Sequence, residues 1–408
     1  MRTGSRLPAA ALVTLIAASV ISLLSFGVRA AFGLFTAPLP PDVGVSREVF
    51  SMAMAIQNLC WGITQPFAGH FTDRFGAKHV MLGGAILYLL GIVGLLFSNS
   101  PAEIYLTAGV LVGAGMGGAS FTTALAALGR VMPESHRSWA LGLGTAASSL
   151  GQFVIVPIVQ AFIAFGGWTA GAWTMVAAIA AVLVAASFMA GEKACLAPSG
   201  DAPLSTSQML SSAFAHPSYV LLVLGFFVCG FQLAFITTHF PAYLNDAGVS
   251  ASVASWAIAM IGLFNVIGAY MAGTWGGRHS KKSLLAWIYA ARGLVIAAFL
   301  LLPLSTTSVL LFGASMGLLW LSTVPLTSGL VATFFGTRFM ATLFGIAFFS
   351  HQVGAFLGVF LGGLLYERTG SYTVVWWLCI ALSFFAAAMN WPIREGQSES
   401  FKRLAAAA

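Results

Sequence analysis

Long apolar segments separated by short polar ones run along almost the whole chain. Twelve of these segments are long enough to cross the hydrocarbon core of a bilayer as a helix, which takes about 20 residues. They lie at roughly 9–36, 47–71, 80–98, 102–128, 139–163, 170–190, 218–240, 250–275, 283–302, 307–331, 340–362 and 372–391. Because these segments do not show the period-2 alternation of a membrane strand, we predict an all-α membrane protein with twelve transmembrane helices.

The two halves of the chain look like copies of one six-helix unit. A shift of 204 residues places Gly44-Val45-Ser46 on Gly248-Val249-Ser250, and Gly69, Arg74 and Lys78 on Gly273, Arg278 and Lys282. Residues 191–217, between the sixth and seventh segments, are rich in Pro, Ser and Gly, which is typical of a linker. We therefore predict two pseudo-symmetric six-helix bundles at 1–190 and 218–394, a cytoplasmic linker at 191–217 and a cytoplasmic tail at 395–408.

The composition agrees with a membrane protein and fixes its predicted orientation. Of the 408 residues, 59% are hydrophobic and 7% are charged, which is too little charge to cover a soluble protein of this size. Counted from a cytoplasmic N-terminus, fourteen Lys and Arg residues lie on the cytoplasmic side, and only Arg47 and Arg368 lie outside. This asymmetry follows the positive-inside rule and predicts that both termini are cytoplasmic. The net charge of +7 therefore indicates membrane orientation rather than a nucleic-acid partner.

Two arginines lie inside apolar segments, Arg29 in the first and Arg292 in the ninth. All eleven acidic residues fall in loops or at helix ends, so neither arginine has an intramembrane carboxylate as a partner. A charged side chain in a bilayer is costly and therefore usually faces a cavity or a partner. We expect the anion of a substrate to supply the missing counter-charge.

The loop after the second segment carries a motif of glycine, acid and basic residues. Its members are Gly69, Asp73, Arg74, Gly76 and Lys78, in the pattern Gly-x-x-x-Asp-Arg-x-Gly-x-Lys. With the two six-helix halves, this motif resembles the major facilitator superfamily, in which the substrate site lies at midplane between the halves. The resemblance implies that the five residues form a cytoplasmic latch. In the second copy, Gly277 stands at the position of Asp73, so that copy has lost its acid.

Three stretches resemble the branch of monocarboxylate transporters and oxalate/formate antiporters, in a bacterial subgroup. They are Phe26–Leu39 with the following Gly44-Val45-Ser46, Gly142–Pro157, and Trp320–Gly362. The resemblance implies that Arg29 faces the substrate and that His351 stands where oxalate/formate exchangers place a lysine. The chain departs from the branch in the eighth helix, where Ala269 replaces an arginine and Asn265 replaces an upstream aspartate found in many monocarboxylate carriers.

These patterns define a candidate binding set. We expect substrate contacts from Arg29, His351, Gln152, Arg292, Asn58, Gln352 and Trp320. A guanidinium offers a planar fork to a carboxylate, and histidine titrates near neutral pH, so His351 is also the expected proton carrier. The alternative for Arg292 is a structural role in which it bonds backbone carbonyls between helices. The alternative for His351 is a hydrogen-bonded core histidine.

The sequence predicts a secondary transporter of a small organic anion, above all a monocarboxylate, that works by alternating access with proton symport. The alternatives are an exporter of amphipathic neutral or acidic compounds and an anion exchanger. Because no nucleotide-binding motif and no catalytic or metal-ligand cluster occurs in the sequence, we predict neither an enzyme nor a cofactor or metal. We expect a monomer in the inner membrane of a bacterium, in contact with lipids and without nucleic acid.

Overall fold

A computed structural model describes residues 7–120, 123–124, 127–128, 131–132, 134–189, 206–335 and 340–397. Regular structure in these ranges is helical throughout, as predicted. The side chains of Asp73 and Arg74, in the predicted latch, lie outside the described part. So do residues 190–205, which include the first part of the predicted linker 191–217, and residues 398–408 of the predicted tail. The latch and the boundaries of the two halves therefore stay predictions.

The first half contains five long helical elements, of which the fifth is broken into two. They are α1 (Ala9–Ala31), α2 (Arg47–Phe75), α3 (Ala77–Leu96), α4 (Pro101–Ile104, a π-helical turn Tyr105–Leu111, and Val112–Gly118) and α5 (Glu134–Ser187). A 3₁₀ turn, Phe32–Phe35, extends α1, and a short helix, Leu39–Val43, follows it. The break in α5 lies at Gly166 and Gly167, where φ of Gly167 is +74°, and it divides the element into two membrane passes.

A short helix, Thr206–Phe214, lies within the predicted linker, and seven longer helices follow it in the described part of the chain. They are α6 (Pro217–Asp246), α7 (Ala251–Gly276), α8 (Lys281–Leu301), α9 (Thr306–Leu319), α10 (Thr323–Phe335), α11 (Met340–Thr369) and α12 (Thr373–Asn390). Helices α9 and α10 are the two parts of one broken span. Across the described residues, nine helical stretches are long and apolar enough to cross a membrane, and one of them contains the break in α5.

The repeated Gly-Val-Ser triplet starts the second helix of each half. Gly44 and Gly248 both adopt a left-handed conformation, with φ of +76° and +79°, which costs glycine little because it has no Cβ. Two residues later, Ser46 and Ser250 cap α2 and α7, each accepting a hydrogen bond from the third backbone N–H of its helix. The repeat at a shift of 204 residues therefore corresponds to the same turn and the same helix cap in both halves.

The same shift relates the close packing of two helix pairs. In each half, two glycines of the fourth span lie so close to the second span that an added Cβ would meet backbone oxygen at 2.5–3.1 Å. These glycines are Gly109 and Gly113 against Ala53 and Gln57, and Gly313 and Gly317 against Ala257 and Ile261. Small residues of this kind allow membrane helices to approach closely, and here they give both halves the same scaffold.

The two halves are closed against each other at one end of the molecule, which we call the Arg47 end. Arg47 at the start of α2 donates two hydrogen bonds of 2.5 and 2.8 Å to Asp246 at the end of α6. The Thr36 hydroxyl donates to the backbone oxygen of Thr238 at 2.9 Å. Gly33 packs against the same turn of α6, because a Cβ at Gly33 would stand 1.9 Å from the backbone oxygen of Thr237.

Contact between the halves also reaches the middle of the molecule. The Gln352 amide donates to the Asn58 carbonyl at 3.2 Å, and the Asn265 amide donates to the Ser149 hydroxyl at 2.9 Å. The described hydrogen bonds between the halves thus lie at the Arg47 end and near the middle. Further from the Arg47 end, Gly69, Gly273 and Gly345 have open space where a Cβ would lie.

A glycine pair on α7 tests this packing. A Cβ at Gly268 would stand 1.9 Å from the Leu318 carbonyl oxygen of α9, whereas nothing lies within 4 Å at Gly273. We expect Gly268→Ala to lower the free energy of unfolding by about 1–3 kcal/mol, because overpacking forces the two helices apart. Gly273→Ala is the matched control and should be neutral or slightly stabilising. Melting temperatures of the purified variants in detergent check this, and equal values would contradict the close contact.

Candidate functional site

Arg29 lies in the last turn of α1 and is held mainly by aromatic rings. Its guanidinium carbon is 4.8 Å from the centroid of the Trp61 ring and 5.7 Å from that of Phe26. Nη2 donates one long hydrogen bond of 3.3 Å to Oδ1 of Asn58, and no described carboxylate forms an ion pair with Arg29. The ring faces stabilise the cation without using its N–H donors, so much of its hydrogen-bonding capacity remains for a ligand.

Two small cavities meet at the Arg29 side chain. One lies towards the Arg47 end, between the halves, and is lined by Arg29, Phe32, Gly33, Met54, Gln57, Asn58, Ala234, Thr237 and Thr238. The other lies towards the opposite end, inside the first half, and is lined by Ser25, Phe26, Arg29, Trp61, Tyr88, Met116, Ala119 and Ser120. Their volumes of about 10 and 20 Å³ each hold about one water-sized group. In this conformation each cavity beside Arg29 therefore admits a single water-sized group and nothing bulky.

Tyr88 on α3 is a site residue that the sequence did not single out. Its side chain is fully buried, it lines the same cavity as Arg29, and its hydroxyl has no hydrogen-bond partner among the described residues. A buried hydroxyl without a partner is costly, and a ligand that accepts its hydrogen bond removes that cost. The only trace in the sequence is the 204-residue shift, which places Arg292 on Tyr88.

His351 lies on α11 and is connected to Arg29 through two amides. Its Nδ1 is 3.0 Å from Oε1 of Gln352, whose Nε2 donates to the backbone oxygen of Asn58 at 3.2 Å. The imidazole stacks on Phe348, at 5.8 Å between ring centroids and 6° between planes, and is buried. The structure thus brings four predicted residues, Arg29, Asn58, Gln352 and His351, into one hydrogen-bonded chain that crosses between the halves.

Arg292 on α8 lies apart from both cavities and is fully buried in the second half. Nε and Nη2 donate to the Leu319 carbonyl oxygen at 3.1 and 2.6 Å, and Nη2 also donates to that of Trp320. These carbonyls end α9 at the break before α10, where a helix leaves unsatisfied acceptors and a partial negative charge. The contacts favour the structural alternative for Arg292 and involve Trp320 through its backbone. Direct substrate contact by either residue stays a prediction.

Gln152 on α5 also lies away from the cavities beside Arg29. Its Nε2 donates to the Ile258 carbonyl oxygen of α7 at 2.8 Å, and its side chain packs on Gly262. Gln152 therefore ties the two halves together in this conformation. A substrate contact would require the α5–α7 interface to open, so this role stays a prediction.

Comparison with known proteins gives a family, two relatives and a fold. The sequence profile of the Major Facilitator Superfamily matches residues 17–359. Uncharacterized MFS-type transporter YcxA of Bacillus subtilis (strain 168) is 28% identical over 378 residues, which are 89% of this chain and 90% of that protein. Monocarboxylate transporter 13 of Rattus norvegicus is 26% identical over 365 residues, 86% of this chain and 81% of that protein.

A solved structure shares the fold over almost the full length. The inward-open conformation of the xylose transporter XylE from E. coli superposes with a TM-score of 0.73 at 14% identity, covering 97% of this chain and 99% of that one. At this identity the likeness concerns the fold alone. It confirms the predicted arrangement of twelve helices in two six-helix bundles.

Removing one oxygen from Tyr88 tests whether the cavity beside Arg29 binds small carboxylates. We expect Tyr88→Phe to weaken binding of acetate, lactate or pyruvate about 10- to 100-fold, because a hydrogen bond to a charged group contributes about 1.5–3 kcal/mol. The ligand-induced rise in melting temperature measures binding. Tyr372→Phe is the control, since Tyr372 is also buried with a hydroxyl that lacks a partner in the described structure. Equal shifts in both variants would remove Tyr88 from the site.

Proposed function

The chain belongs to the Major Facilitator Superfamily, and we propose that it is a secondary transporter of small organic anions, above all monocarboxylates. Membership makes the protein a multi-pass membrane transporter rather than an enzyme. The observation that carries the proposal is Arg29, a cation at the interface of the two halves that has no described carboxylate partner and opens onto two cavities.

The groups around Arg29 suit a carboxylate. The guanidinium offers N–H donors in a planar fork. Its hydrogen bond to Asn58 is long, at 3.3 Å, and therefore weak, so an incoming carboxylate oxygen replaces it at little cost. The Tyr88 hydroxyl supplies a further donor from α3. Phe26, Trp61 and Met116 give that cavity an apolar wall, and a short carbon chain enters it only when the cavity widens from its volume of about 20 Å³. The names of the monocarboxylate-transporter relatives support the same class of substrate.

Alternating access requires that the two halves open in turn on either side of the site. In this structure the Arg47 end is closed by the Arg47–Asp246 pair and the Thr36–Thr238 hydrogen bond, and we propose that the halves open at the other end. We place the Arg47 end outside the cell and both termini in the cytoplasm of a bacterium, following the asymmetry of basic residues. The site then faces the cytoplasm, and the anion binds and dissociates on that side.

The dimensions of the site favour a small anion over a bulky amphipathic cargo. The two cavities beside Arg29 each hold about one water-sized group, and a fixed arginine between them repels cationic compounds. Co-transport of a proton fits the same site, because a bound anion lowers the cost of a positive charge on the linked His351. We therefore propose proton symport ahead of anion exchange.

Replacing the arginine tests the substrate class. We expect Arg29→Gln to reduce uptake of labelled lactate into proteoliposomes at least 100-fold, because the buried carboxylate then lacks a counter-charge. Arg29→Lys should retain part of the uptake with weaker apparent affinity, since lysine keeps the charge but loses the fork. Arg368→Gln, which changes an exposed arginine, is the control. Unchanged lactate uptake by Arg29→Gln would overturn the proposal, and so would saturable uptake of cationic compounds only.

A charge swap tests the closure at the Arg47 end. We expect Arg47→Asp to slow lactate uptake about five-fold, because it replaces an attraction by a repulsion with Asp246 and destabilises the closed state by about 1 kcal/mol. The double variant Arg47→Asp/Asp246→Arg should regain most of the rate, since it restores the pair with reversed polarity. Initial uptake rates of the single and double variants decide this, and a double variant as slow as the single one would show that the pair does not control closure.

A further inference from the structure

Cys229 of α6 lies in a fully buried cluster of polar side chains from three other helices. Arg292 of α8 donates from Nη1 to its sulfur at 3.3 Å, and the Thr323 hydroxyl of α10 is 3.4 Å away. The imidazole of His351 on α11 lies beside the same sulfur, where α6 and α11 approach so closely that a Cβ at Gly230 would stand 1.7 Å from the His351 backbone oxygen. Four elements thus converge on one thiol.

The charge of this cluster is out of balance when all its acids are protonated. Arg292 is fully buried, and no described carboxylate pairs with it. The carbonyls that end α9 supply about half an elementary charge at most. An uncompensated buried cation is costly, and the Cys229 thiol is a group in contact with it that can supply a negative charge. Tyr289 is another titratable group in this cluster. Its contact with Arg292 is made by the ring face, whose centroid lies 5.3 Å from the guanidinium carbon, and not by a charged oxygen.

The hydrogen bonds around His351 fix the direction in which a proton can move. Gln352 donates from Nε2 to the Asn58 carbonyl oxygen, so its Oε1 is the atom that faces His351. An amide oxygen only accepts, so Nδ1 of His351 carries hydrogen and donates to it. In the neutral imidazole, Nε2 is then an acceptor. The Cys229 thiol is in hydrogen-bonding contact with His351 and can donate to this nitrogen, as it can to the Thr323 hydroxyl.

We propose that Cys229 and His351, held in place by Arg292, form the proton-binding site of this transporter. In the transfer, the S–H bond of Cys229 breaks and an N–H bond forms at Nε2 of His351, which leaves a thiolate against Arg292 and an imidazolium against Gln352. Release of the imidazolium proton to water leaves the Cys229–Arg292 pair with no net charge. Uptake of one proton from water reverses these steps. A thiol here fills the place of the carboxylate that the membrane segments lack.

This site is linked to the anion site by the chain of amides. His351 contacts Gln352, Gln352 contacts Asn58, and Asn58 accepts from Arg29. A carboxylate on Arg29 cancels the positive charge at that end, so it favours a proton at the other end. The groups that face the thiol are Arg292 and Tyr289 from α8, Thr323 from α10 and His351 from α11. The link to transport rests on the proposed function, whereas the titration of the cluster does not.

The S–H stretching band in the infrared spectrum of the purified full-length protein tests the proton site directly. The Cys379 thiol is the internal control, since it is also fully buried in the second half but has no described cation beside it. We expect a band that is absent in Cys229→Ser and loses intensity between about pH 5 and pH 9, the range where histidine and activated thiols titrate. The band absent in Cys379→Ser should persist across that range. A Cys229 band as constant as the Cys379 band would overturn the proposal.

Transport at varied pH provides the second measurement. We expect Cys229→Ala to reduce accumulation of lactate driven by a pH gradient by a much larger factor than it reduces exchange of labelled for unlabelled lactate. Cys379→Ala should leave both unchanged. Accumulation driven by a pH gradient in Cys229→Ala equal to that of the wild type would overturn the assignment. If the Cys229 band titrates but no carboxylate is bound or transported, the proton site stands and the anion proposal fails. If carboxylate is transported but the Cys229 band stays constant, the anion proposal stands and the proton site fails.

Discussion

A cation inside a membrane has to be given negative charge, and no described carboxylate forms an ion pair with either of the two arginines in the apolar segments. Arg292 is satisfied from within the protein, by the carbonyl oxygens that end α9 and by the sulfur of Cys229. Arg29 receives two ring faces and one long hydrogen bond from Asn58, which stabilise a cation without consuming its donors. The same residue type therefore closes a helix break in one half and leaves a demand for an anion in the other.

The internal repeat explains this division. A shift of 204 residues relates the cavity residues Ser25, Tyr88, Met116 and Ala119 of the first half to Cys229, Arg292, Trp320 and Thr323 of the second. The cluster around Cys229 is thus the second half's version of the cavity beside Arg29, occupied by the side chain of Arg292 and its partners. One scaffold thus holds the proposed anion cavity in the first half and the proposed proton site in the second.

Much of the fold could be predicted from the length of the apolar segments and from the repeat, because both can be read from the sequence without knowing any side-chain contact. Arg29, Asn58, Gln352 and His351 were also predicted, and the structure joins them. Tyr88 was missed because a tyrosine in an apolar helix gives no signal until its neighbours are known. The role of Arg292 depends on the break between α9 and α10, which the 3.6-residue pattern of the segment does not reveal. Interfacial contacts such as that of Gln152 depend on which end is closed.

In the proposed mechanism, anion binding, proton binding and movement of the halves meet at the hydrogen bond between Gln352 and Asn58. Arg29 and Asn58 belong to the first half, while Gln352, His351 and Cys229 belong to the second, so a rotation of one half against the other stretches this single bond of 3.2 Å. While it is intact, a carboxylate on Arg29 and a proton on the second half stabilise each other. Once it breaks, each ligand is held by one half alone and leaves more easily. Coupling of two ligands therefore requires only that both be bound before the halves move.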